Sequence, residues 1–329
     1  MHSDPSAFRL RLPATSANLG AAFDTAAVAL DFALEIEAVA AEEFSIDASG
    51  RNVAECSRLD DNLILETYRS LLTREDRPVQ PLALRMRNGI PLGMGCGSSA
   101  AGRLAAIALA AHFGALGWSA DQILAEAVAL EGHPDNAAAC WHGGLVVAAD
   151  FAASGIAENK PAHHLPFVSI PPPPDWSAIV VLPARPLATS RARAVLPESY
   201  SRADVVANLQ AAALLAPAFA SARVDLLAAA TRDRLHQPFR AAICPLLAPL
   251  LPLVGGSDIF SVTLSGAGPS VLLITLLDSA SAAAAIHQAL GAARWQTGQD
   301  YELLHTRFAV RGAGSQADFS PGIAKGISK

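Results

Sequence analysis

The sequence has few charged residues, few aromatic residues and no strong charge of either sign. Charged residues make up 16% of the 329 positions, aromatic residues 6%, and the formal net charge is -6. A nucleic-acid or acidic-membrane partner would require a basic face, so this charge balance argues against both. Intrinsic disorder requires low hydrophobicity together with high net charge, whereas 52% of these residues are hydrophobic. The composition indicates a globular protein of enzyme size.

Cysteine is also scarce, and no Cys-x-x-Cys pair occurs, which excludes zinc and redox motifs built from sequence neighbours. We expect the four residues to be buried reduced thiols, a state that suits a reducing compartment. They are Cys56, Cys96, Cys140 and Cys244.

No basic segment followed by an apolar one stands at the N-terminus, so no signal peptide is predicted. The longest apolar runs fall short of the roughly 20 residues of a membrane span. We therefore expect a cytoplasmic protein.

The periodicity of apolar residues predicts strands and helices in both halves of the chain, which indicates an α+β protein. Residues 13–23 are predicted to form a Ser/Asn/Gly-rich loop after the first strand. Four consecutive prolines, Pro171–Pro174, end a proline-rich connection where we expect a domain boundary. We divide the chain into an N-terminal domain over 1–165 and a C-terminal domain over 166–311. A tail over 312–329 is polar without apolar periodicity, and we expect it to be disordered.

The most informative segment lies between a predicted strand and a long alanine-rich helix. It comprises Pro91, Leu92, Gly93, Met94, Gly95, Cys96, Gly97, Ser98, Ser99, Ala100 and Ala101. Its glycines let the backbone approach a ligand closely, and its serines stand beside the positive end of the helix dipole. This pattern predicts a site for the phosphates of a nucleotide, although a Gly/Ser turn capping the helix would explain the same residues. The spacing matches neither a Walker A loop nor a dinucleotide-binding fingerprint.

Three further segments combine polar side chains with turn residues. Asn18 and Asp24 follow the first strand, where they could grip a small polar ligand or form an Asx-rich connector. Glu131–Asn136 places several functional side chains before an apolar helix, where Asp135 or Asn136 could also act as a cap. Leu264–Ser270 is a Gly-rich turn between two predicted strands, which a tight hairpin would also explain.

Taken together, these segments resemble the motifs of the GHMP small-molecule kinase superfamily. PATSANLGAAFD at 13–24 is similar to its first motif, PLGMGCGSSAA at 91–101 to its phosphate loop, and LSGAGPSV at 264–271 to its third motif. The resemblance implies a two-domain GHMP kinase fold, with a ribosomal-protein-S5-domain-2-like N-terminal domain that binds ATP and a ferredoxin-like C-terminal domain. The active site would lie between them.

Three more segments resemble the homoserine kinase branch of that superfamily. They are EGHPDN at 131–136, TSRARAVLP at 189–197 with its T-x-x-x-R-x-x-L-P spacing, and DRLHQPFR at 233–240. The resemblance extends from about Phe8 to Val310. It implies Mg²⁺- and ATP-dependent phosphorylation of L-homoserine to O-phospho-L-homoserine, a step of threonine biosynthesis. A homodimer is implied by the resemblance alone.

The resemblance also implies roles for individual residues. The loop 91–101 would wrap the ATP phosphates, and Ser99 would help to hold Mg²⁺ with Glu131 as acidic partner and Glu126 as its rival. The substrate would contact Asn18, Asp24, His133, Asn136, Thr189, Arg193, Arg240, Gly266 and Gly268. Of these, Arg193 and Arg240 would take the carboxylate, a task suited to guanidinium groups. The catalytic candidates are Asp135, Asn136 and Ser99. Whether Asp135 acts as a base, or catalysis needs positioning alone, stays open.

One departure from the motifs concerns the segment just before Asp24. Ala21 and Ala22 replace the usual Pro-Gly of the first motif, so we expect a looser loop around Asp24.

Two alternatives to the homoserine kinase interpretation remain. One is a related kinase acting on another small alcohol, against which the Arg193 and Arg240 pair argues. The other is a homoserine-binding sensor without turnover, against which the intact phosphate loop argues.

Overall fold

The fold is described from a computed structural model, which covers residues 7–150 and 165–315. Its first sheet has six strands in the order β3-β4-β2-β5-β6, and β1 also pairs with β2. They are β1 (Phe8–Asn18), β2 (Ala22–Ala40), β3 (Ser45–Gly50), β4 (Leu82–Asn88), β5 (Leu145–Ala148) and β6 (Phe167–Ile170). Only the β3–β4 pair among these described strands is parallel. The long antiparallel β1–β2 hairpin therefore organises the first half of the protein.

Five helices accompany the first sheet: α1 (Val53–Cys56), α2 (Leu63–Arg74), α3 (Ser98–Phe113), α4 (Ala120–Glu131) and α5 (Asp135–His142). Two of them begin at cap residues. The Asn62 side chain accepts hydrogen bonds from the first turn of α2, and Ser119 with Gln122 forms a capping box at the start of α4. Helix α3 is buried on nearly all sides, because its alanines let α2, α4 and β1 pack closely around it. This burial holds the start of α3 in a fixed position.

The second sheet is antiparallel and has four strands: β7 (Trp176–Pro183), β8 (Ile259–Leu264), β9 (Val271–Leu276) and β10 (Tyr301–Thr306). Their order, β10-β7-β9-β8, is that of a ferredoxin-like β-α-β-β-α-β unit. The helices of this half are α6 (Thr189–Ala194), α7 (Arg202–Ala220), α8 (Val224–Ala230), α9 (Gln237–Arg240), α10 (Leu247–Leu250) and α11 (Ala280–Ala292). The two sheets with their helices confirm the predicted α+β class.

The two halves share one hydrophobic core. Residues on one face of the second sheet, such as Trp176 and Leu272, join the core of the first sheet. The opposite face of the second sheet packs against α10 and α11 in a separate cluster. The boundary between the halves is therefore a packed interface, which fixes the relative positions of the residues that face each other across it.

The structure differs from the sequence expectations at three places. The predicted loop 13–23 is mostly strand, because β1 continues to Asn18. Residues 12–18 are all buried, so this part of the strand lacks the alternation of buried and exposed residues by which a strand is predicted. Strand β6, which the division at 165/166 assigns to the second domain, pairs with β5 of the first sheet. The segment 308–315 returns to the first half: Phe308 and Ala313 are buried in its core, and 313–315 form a short 3-10 turn. Residues 316–329 of the expected tail lie outside the described residues.

One helix of the described part of the chain, α7, is long and apolar enough to cross a membrane when judged by length and mean hydropathy alone. In the structure α7 packs against α8 and the first sheet. Its Asn208 side chain is buried, donates to the carbonyl of Ala21 and accepts from the backbone N–H of Arg234. These contacts place one face of α7 beside the loop that carries Asp24.

Candidate active site

A single cleft between the two halves brings most of the predicted site residues together. Its lining comprises Asn18, Asp24, Gly93, Gly95, Gly97, Ser98, Ser99, Ala100, Glu131, His133, Asp135, Asn136, Thr189, Arg193, Arg240, Gly266 and Ala267. The other predicted loop residues, Pro91, Leu92, Met94, Cys96 and Ala101, lie outside this lining. Gly268, also outside it, packs behind Gly95. Segments that are far apart in sequence therefore converge on one cleft.

The phosphate loop has a backbone that only glycine supports at its key positions. Gly93, Gly95 and Gly97 all have positive φ angles, of 68°, 75° and 71°. A Cβ at Gly95 would lie 2.1 Å from the carbonyl oxygen of Ser265. Helix α3 begins directly after Gly97, and no side chain caps its first turn. The first N–H groups of this helix therefore have no side-chain cap and follow three positive-φ glycines, an arrangement that suits an anion such as a phosphate.

Cys96 within this loop points away from the cleft. The thiol is buried, and the backbone carbonyl of the same residue accepts a hydrogen bond from the N–H of Thr15. Burial raises the pKa of the Cys96 thiol to about 12. The side chain therefore remains a neutral packing group at physiological pH.

The predicted metal-binding residues contact each other at the same end of the cleft. The Ser99 hydroxyl donates to Oε1 of Glu131 at 2.7 Å, and Nη1 of Arg103 donates to the same oxygen at 2.8 Å. The rival Glu126 instead forms a two-pronged ion pair with Arg74 and lines a different groove. Hydroxyl and carboxylate oxygens are the donors that Mg²⁺ prefers. The oxygen atoms of Ser99 and Glu131 thus match the donor types that Mg²⁺ takes, at the end of the cleft beside Gly97.

The Glu131–Asn136 segment presents a buried carboxylate. Oδ1 of Asp135 accepts hydrogen bonds from Nδ1 of His133 and from the backbone N–H of Asn136, both at 2.6 Å. Burial opposes a charge on His133, but the hydrogen bond to Asp135 and the negative charges of Asp135 and Asp24 together outweigh it, so the pKa of the imidazole is raised. The Asn136 side chain accepts from the Thr15 hydroxyl at 2.6 Å. Each of these three side chains is thereby held in one orientation at the cleft wall.

Two arginines from the second half line the cleft, one of them in an ion pair and the other bonded only to neutral groups. Arg193 forms a two-pronged ion pair with Asp24, with N–O distances of 2.8 and 3.0 Å. Arg240 is only 1% exposed and donates to the carbonyl of Ala192 and to Nδ1 of His236. Among the described residues, Arg240 forms no ion pair with a carboxylate. Burial, reinforced by the charge of Arg193, lowers the pKa of the Arg240 guanidinium. The cleft therefore contains a buried cation that no carboxylate of the described residues contacts directly, although Asp24 and Asp233 lie near enough to stabilise its charge.

Phe23 was not singled out from the sequence, yet it links these charged groups. The guanidinium carbons of Arg193 and Arg240 lie 5.6 and 5.4 Å from the centre of its ring, and His236 stacks on the ring at 5.3 Å. Its position directly before Asp24 in the first motif is the one sequence signal that could have identified it. The ring provides a shared platform for both arginines.

The loop around Asp24 is firmly held, contrary to the expected effect of Ala21 and Ala22. Both alanines are buried, and the carbonyls of Gly20 and Ala21 accept hydrogen bonds from His236 and Asn208. The amide of Asn18 accepts from the backbone N–H of Asp24 and donates to the carbonyl of Gly266. These contacts with the second half replace the rigidity that Pro-Gly would supply.

The chain is similar to known proteins over most of its length. Residues 62–144 match the family model of the GHMP kinases N terminal domain. A homoserine kinase of Solibacter usitatus is 40% identical over 273 residues, which are 83% of this chain and 86% of that protein. A homoserine kinase of Thermus thermophilus is 35% identical and covers 90% of this chain and 95% of its own. The chain belongs to the homoserine kinase family.

The fold of this family member is also found in solved structures. The crystal structure of homoserine kinase from Cytophaga hutchinsonii superimposes with a TM-score of 0.76 over 95% of this chain and 98% of that chain, at 19% identity. A putative homoserine kinase from Listeria monocytogenes gives a TM-score of 0.68 at 25% identity, over 93% of this chain and 97% of that chain. The GHMP kinase fold inferred from the motifs is thereby confirmed.

Proposed function

We propose that the protein transfers the γ-phosphoryl group of ATP to the hydroxyl of L-homoserine, which forms O-phospho-L-homoserine for threonine biosynthesis. The observation that carries this proposal is the buried guanidinium of Arg240 beside Arg193. A buried cation without a carboxylate partner is costly for the folded protein, and a substrate carboxylate would relieve that cost. Related substrates without a carboxylate, such as simple alcohols, would leave Arg240 without a carboxylate contact.

The opposite end of the cleft suits the phosphates. Positive-φ glycines and the start of α3 would hold the β- and γ-phosphates, while Ser99 and Glu131 would hold Mg²⁺. A bound Mg²⁺ ion would neutralise charge on the transferred phosphoryl group. Phosphoryl transfer depends mainly on alignment and on electrostatic stabilisation, and these groups supply both.

Asp135 is the carboxylate that we place beside the substrate hydroxyl. Its Oδ1 is occupied by His133 and Asn136, whereas no hydrogen bond within the described residues engages Oδ2. Oδ2 is free to accept the hydroxyl proton or a hydrogen bond that orients the hydroxyl. Asp135→Asn keeps the shape of the side chain but replaces Oδ2 by an amide NH₂ group, which can accept neither a proton nor a hydrogen bond from the hydroxyl. Loss of kcat in that variant would show that an acceptor beside the hydroxyl is required, and retained kcat would show that Asp135 is not that acceptor.

The proposal is tested by turnover of Mg-ATP with L-homoserine, measured as ADP release beside L-serine, L-threonine, mevalonate and no acceptor. We expect release that is selective for L-homoserine. Arg240→Gln should lower kcat/KM for L-homoserine by about a hundredfold, because a charge-assisted contact is lost. Selective turnover of mevalonate, which has a carboxylate but no amino group, would contradict specificity for an amino acid. Binding of L-homoserine without turnover would favour the sensor alternative.

The cellular setting and assembly are part of the same proposal. The four cysteines are free and buried in the structure, which suits the reducing cytoplasm. We infer a homodimer from the family resemblance, and sedimentation equilibrium of the purified protein would test it.

A further inference from the structure

One buried residue joins the phosphate loop to the wall of the cleft that carries Asn136. Thr15 lies on β1 and is fully buried, so it lies behind the cleft surface and not on it. Its Oγ1 donates to Oδ1 of Asn136 at 2.6 Å, although the two residues are 121 positions apart. Its backbone N–H donates to the carbonyl of Cys96 in the phosphate loop at 3.1 Å. Thr15 therefore contacts both the loop that suits the phosphates and a side chain at the cleft wall.

The glycine that ends the phosphate loop lies directly against the Thr15 hydroxyl. A Cβ at Gly97 would lie 1.9 Å from Oγ1 of Thr15 and 3.2 Å from Oδ1 of Asn136. Helix α3 begins at the next residue, and β1 packs against both α3 and α5. Close packing on all these sides leaves the hydroxyl little freedom to move. It is thus enclosed between the start of α3 and the side chain of Asn136.

The hydrogen bond from Thr15 determines which way the Asn136 amide faces. A side-chain amide has an accepting oxygen at one end and a donating NH₂ group at the other. With Oδ1 of Asn136 on Thr15, Nδ2 lies 3.3 Å from Oδ1 of Asp135. Half a turn of the amide would place two oxygen acceptors against each other, which is unfavourable. The second N–H of Nδ2 makes no hydrogen bond within the part of the chain that the structure describes, so it can donate to a ligand oxygen in the cleft.

We propose that Thr15 is a positioning residue, which holds the Asn136 amide with its NH₂ group toward the reacting oxygens. The inference rests on the proposed function, because it takes phosphoryl transfer in this cleft as the reaction that the amide serves. Without the hydroxyl, Oδ1 of Asn136 loses its donor, and the amide gains orientations in which the oxygen faces the ligand. The backbone contact of Thr15 with Cys96 does not depend on the side chain, so the phosphate loop keeps its support.

The experiment compares Thr15→Ala with Thr15→Ser, which both lack the methyl group and differ only in the hydroxyl. The rate is that of ADP formation in a single turnover with Mg-ATP and saturating L-homoserine, which also resolves slow variants. We expect Thr15→Ser to stay within about threefold of the unchanged protein and Thr15→Ala to be about tenfold slower than Thr15→Ser. The ATP concentration that gives half of the maximal rate should be the same in both variants.

Ser16→Ala is the matched control, because it removes the same atom from the next residue of β1. Ser16 is as deeply buried as Thr15, and its hydroxyl has no hydrogen-bond partner among the described residues. We expect the rate of this variant to equal that of the unchanged protein. If Thr15→Ala does not fold, Thr15→Val removes the hydroxyl with less loss of volume and takes its place.

A double-mutant cycle with Asn136→Ala tests whether Thr15 acts through Asn136. When the amide is absent, the hydroxyl has nothing to orient. Thr15→Ala and Thr15→Ser should therefore react at equal rates in the Asn136→Ala protein. A purely structural role of Thr15, such as support of β1 or of the phosphate loop, would preserve the tenfold difference in that background.

The outcomes separate this inference from the proposed function. Equal rates for Thr15→Ala and Thr15→Ser, or a difference that persists without Asn136, would overturn the positioning role while homoserine turnover stands. A similar loss of rate in Ser16→Ala would also overturn it, since packing of β1 would then explain the effect. Failure of the unchanged protein to phosphorylate L-homoserine would overturn the proposed function itself, and this inference with it.

Discussion

The hydroxyl of Ser99 and the carboxylate of Glu131 are joined by a 2.7 Å hydrogen bond between the start of α3 and the end of α4. Glu131 is nearly buried, with 8% of its side chain exposed, whereas its rival Glu126 is tied to Arg74 in another groove. This contact places one acidic residue of α4 beside the phosphate loop.

Glu131→Gln should impair use of the metal ion. We expect activity at limiting Mg²⁺ to fall about 10- to 100-fold, because the amide cannot replace the carboxylate charge near the ion. The measurement is the dependence of the rate on Mg²⁺ concentration. Glu126→Gln is the control, and should leave that dependence unchanged while costing at most about 1 kcal/mol of stability. The same Mg²⁺ dependence in both variants would remove Glu131 from the metal site.

Gly95→Ala should disable the phosphate loop. The added Cβ would meet the Ser265 carbonyl oxygen at 2.1 Å, and the positive φ angle adds strain. We expect ATP binding to weaken about tenfold or more, because the loop must move away from the second half. Gly117→Ala is a matched control: its φ angle is 69°, but a Cβ there meets nothing within 4 Å. ATP affinity that falls equally in both variants would indicate backbone strain alone.

Phe23→Leu should affect the amino acid and not the nucleotide. The substitution keeps an apolar side chain but removes the ring that lies against Arg193 and Arg240. We expect KM for L-homoserine to rise about three- to tenfold, with KM for ATP unchanged. Phe23→Tyr restores an aromatic face and should recover most of the loss. If Leu and Tyr behave alike, the ring is a space-filling group only.

His236→Gln should change the pH dependence of stability. The imidazole is fully buried, donates to the carbonyl of Gly20 and accepts from Arg240. Burial lowers its pKa; Arg240 adds to that effect and Asp233 opposes it. The unfolded chain therefore takes up the proton first, so the stability from neutral His236 is complete above about pH 6.5 and declines as the pH falls below it.

The corresponding measurement is urea unfolding at pH 8 and pH 5.5. At pH 8 the variant should lose about 1–3 kcal/mol, because two buried hydrogen bonds are disrupted. The difference between the unchanged protein and the variant should shrink at pH 5.5. A difference that is constant between the two pH values would show that His236 does not titrate with folding.

Much of the fold could be predicted because local signals start and stop its elements. The Asn62 cap, the Ser119 capping box and the apolar run after Ser98 each predicted a helix that the structure contains. Strand β3 was missed, since its residues are largely exposed and its pairing is with β4, far along the chain. Strand β6 was also missed, because its residues are largely exposed and it lies beside the proline-rich connection.

The residues of the site could be identified one by one, but their mutual contacts could not. The motifs identify Asp24 and Arg193 separately, whereas their ion pair depends on how β2 meets α6 across the shared core. Phe23 was missed because a single aromatic residue at the start of a strand carries no charge pattern of its own. Relations of this kind arise from long-range packing, which sequence periodicity does not encode.

The return of residues 308–315 to the first half has a consequence for synthesis. The N–H of Ala309 donates to the carbonyl of Ala29, and Phe308 fills part of the core beneath the first sheet. A ribosome produces the chain in order, so nearly all of the second half emerges before that part of the core can close. The first half of this protein therefore stays open at the place of Phe308 until the ribosome has synthesised residues 308–315, after nearly all of the second half.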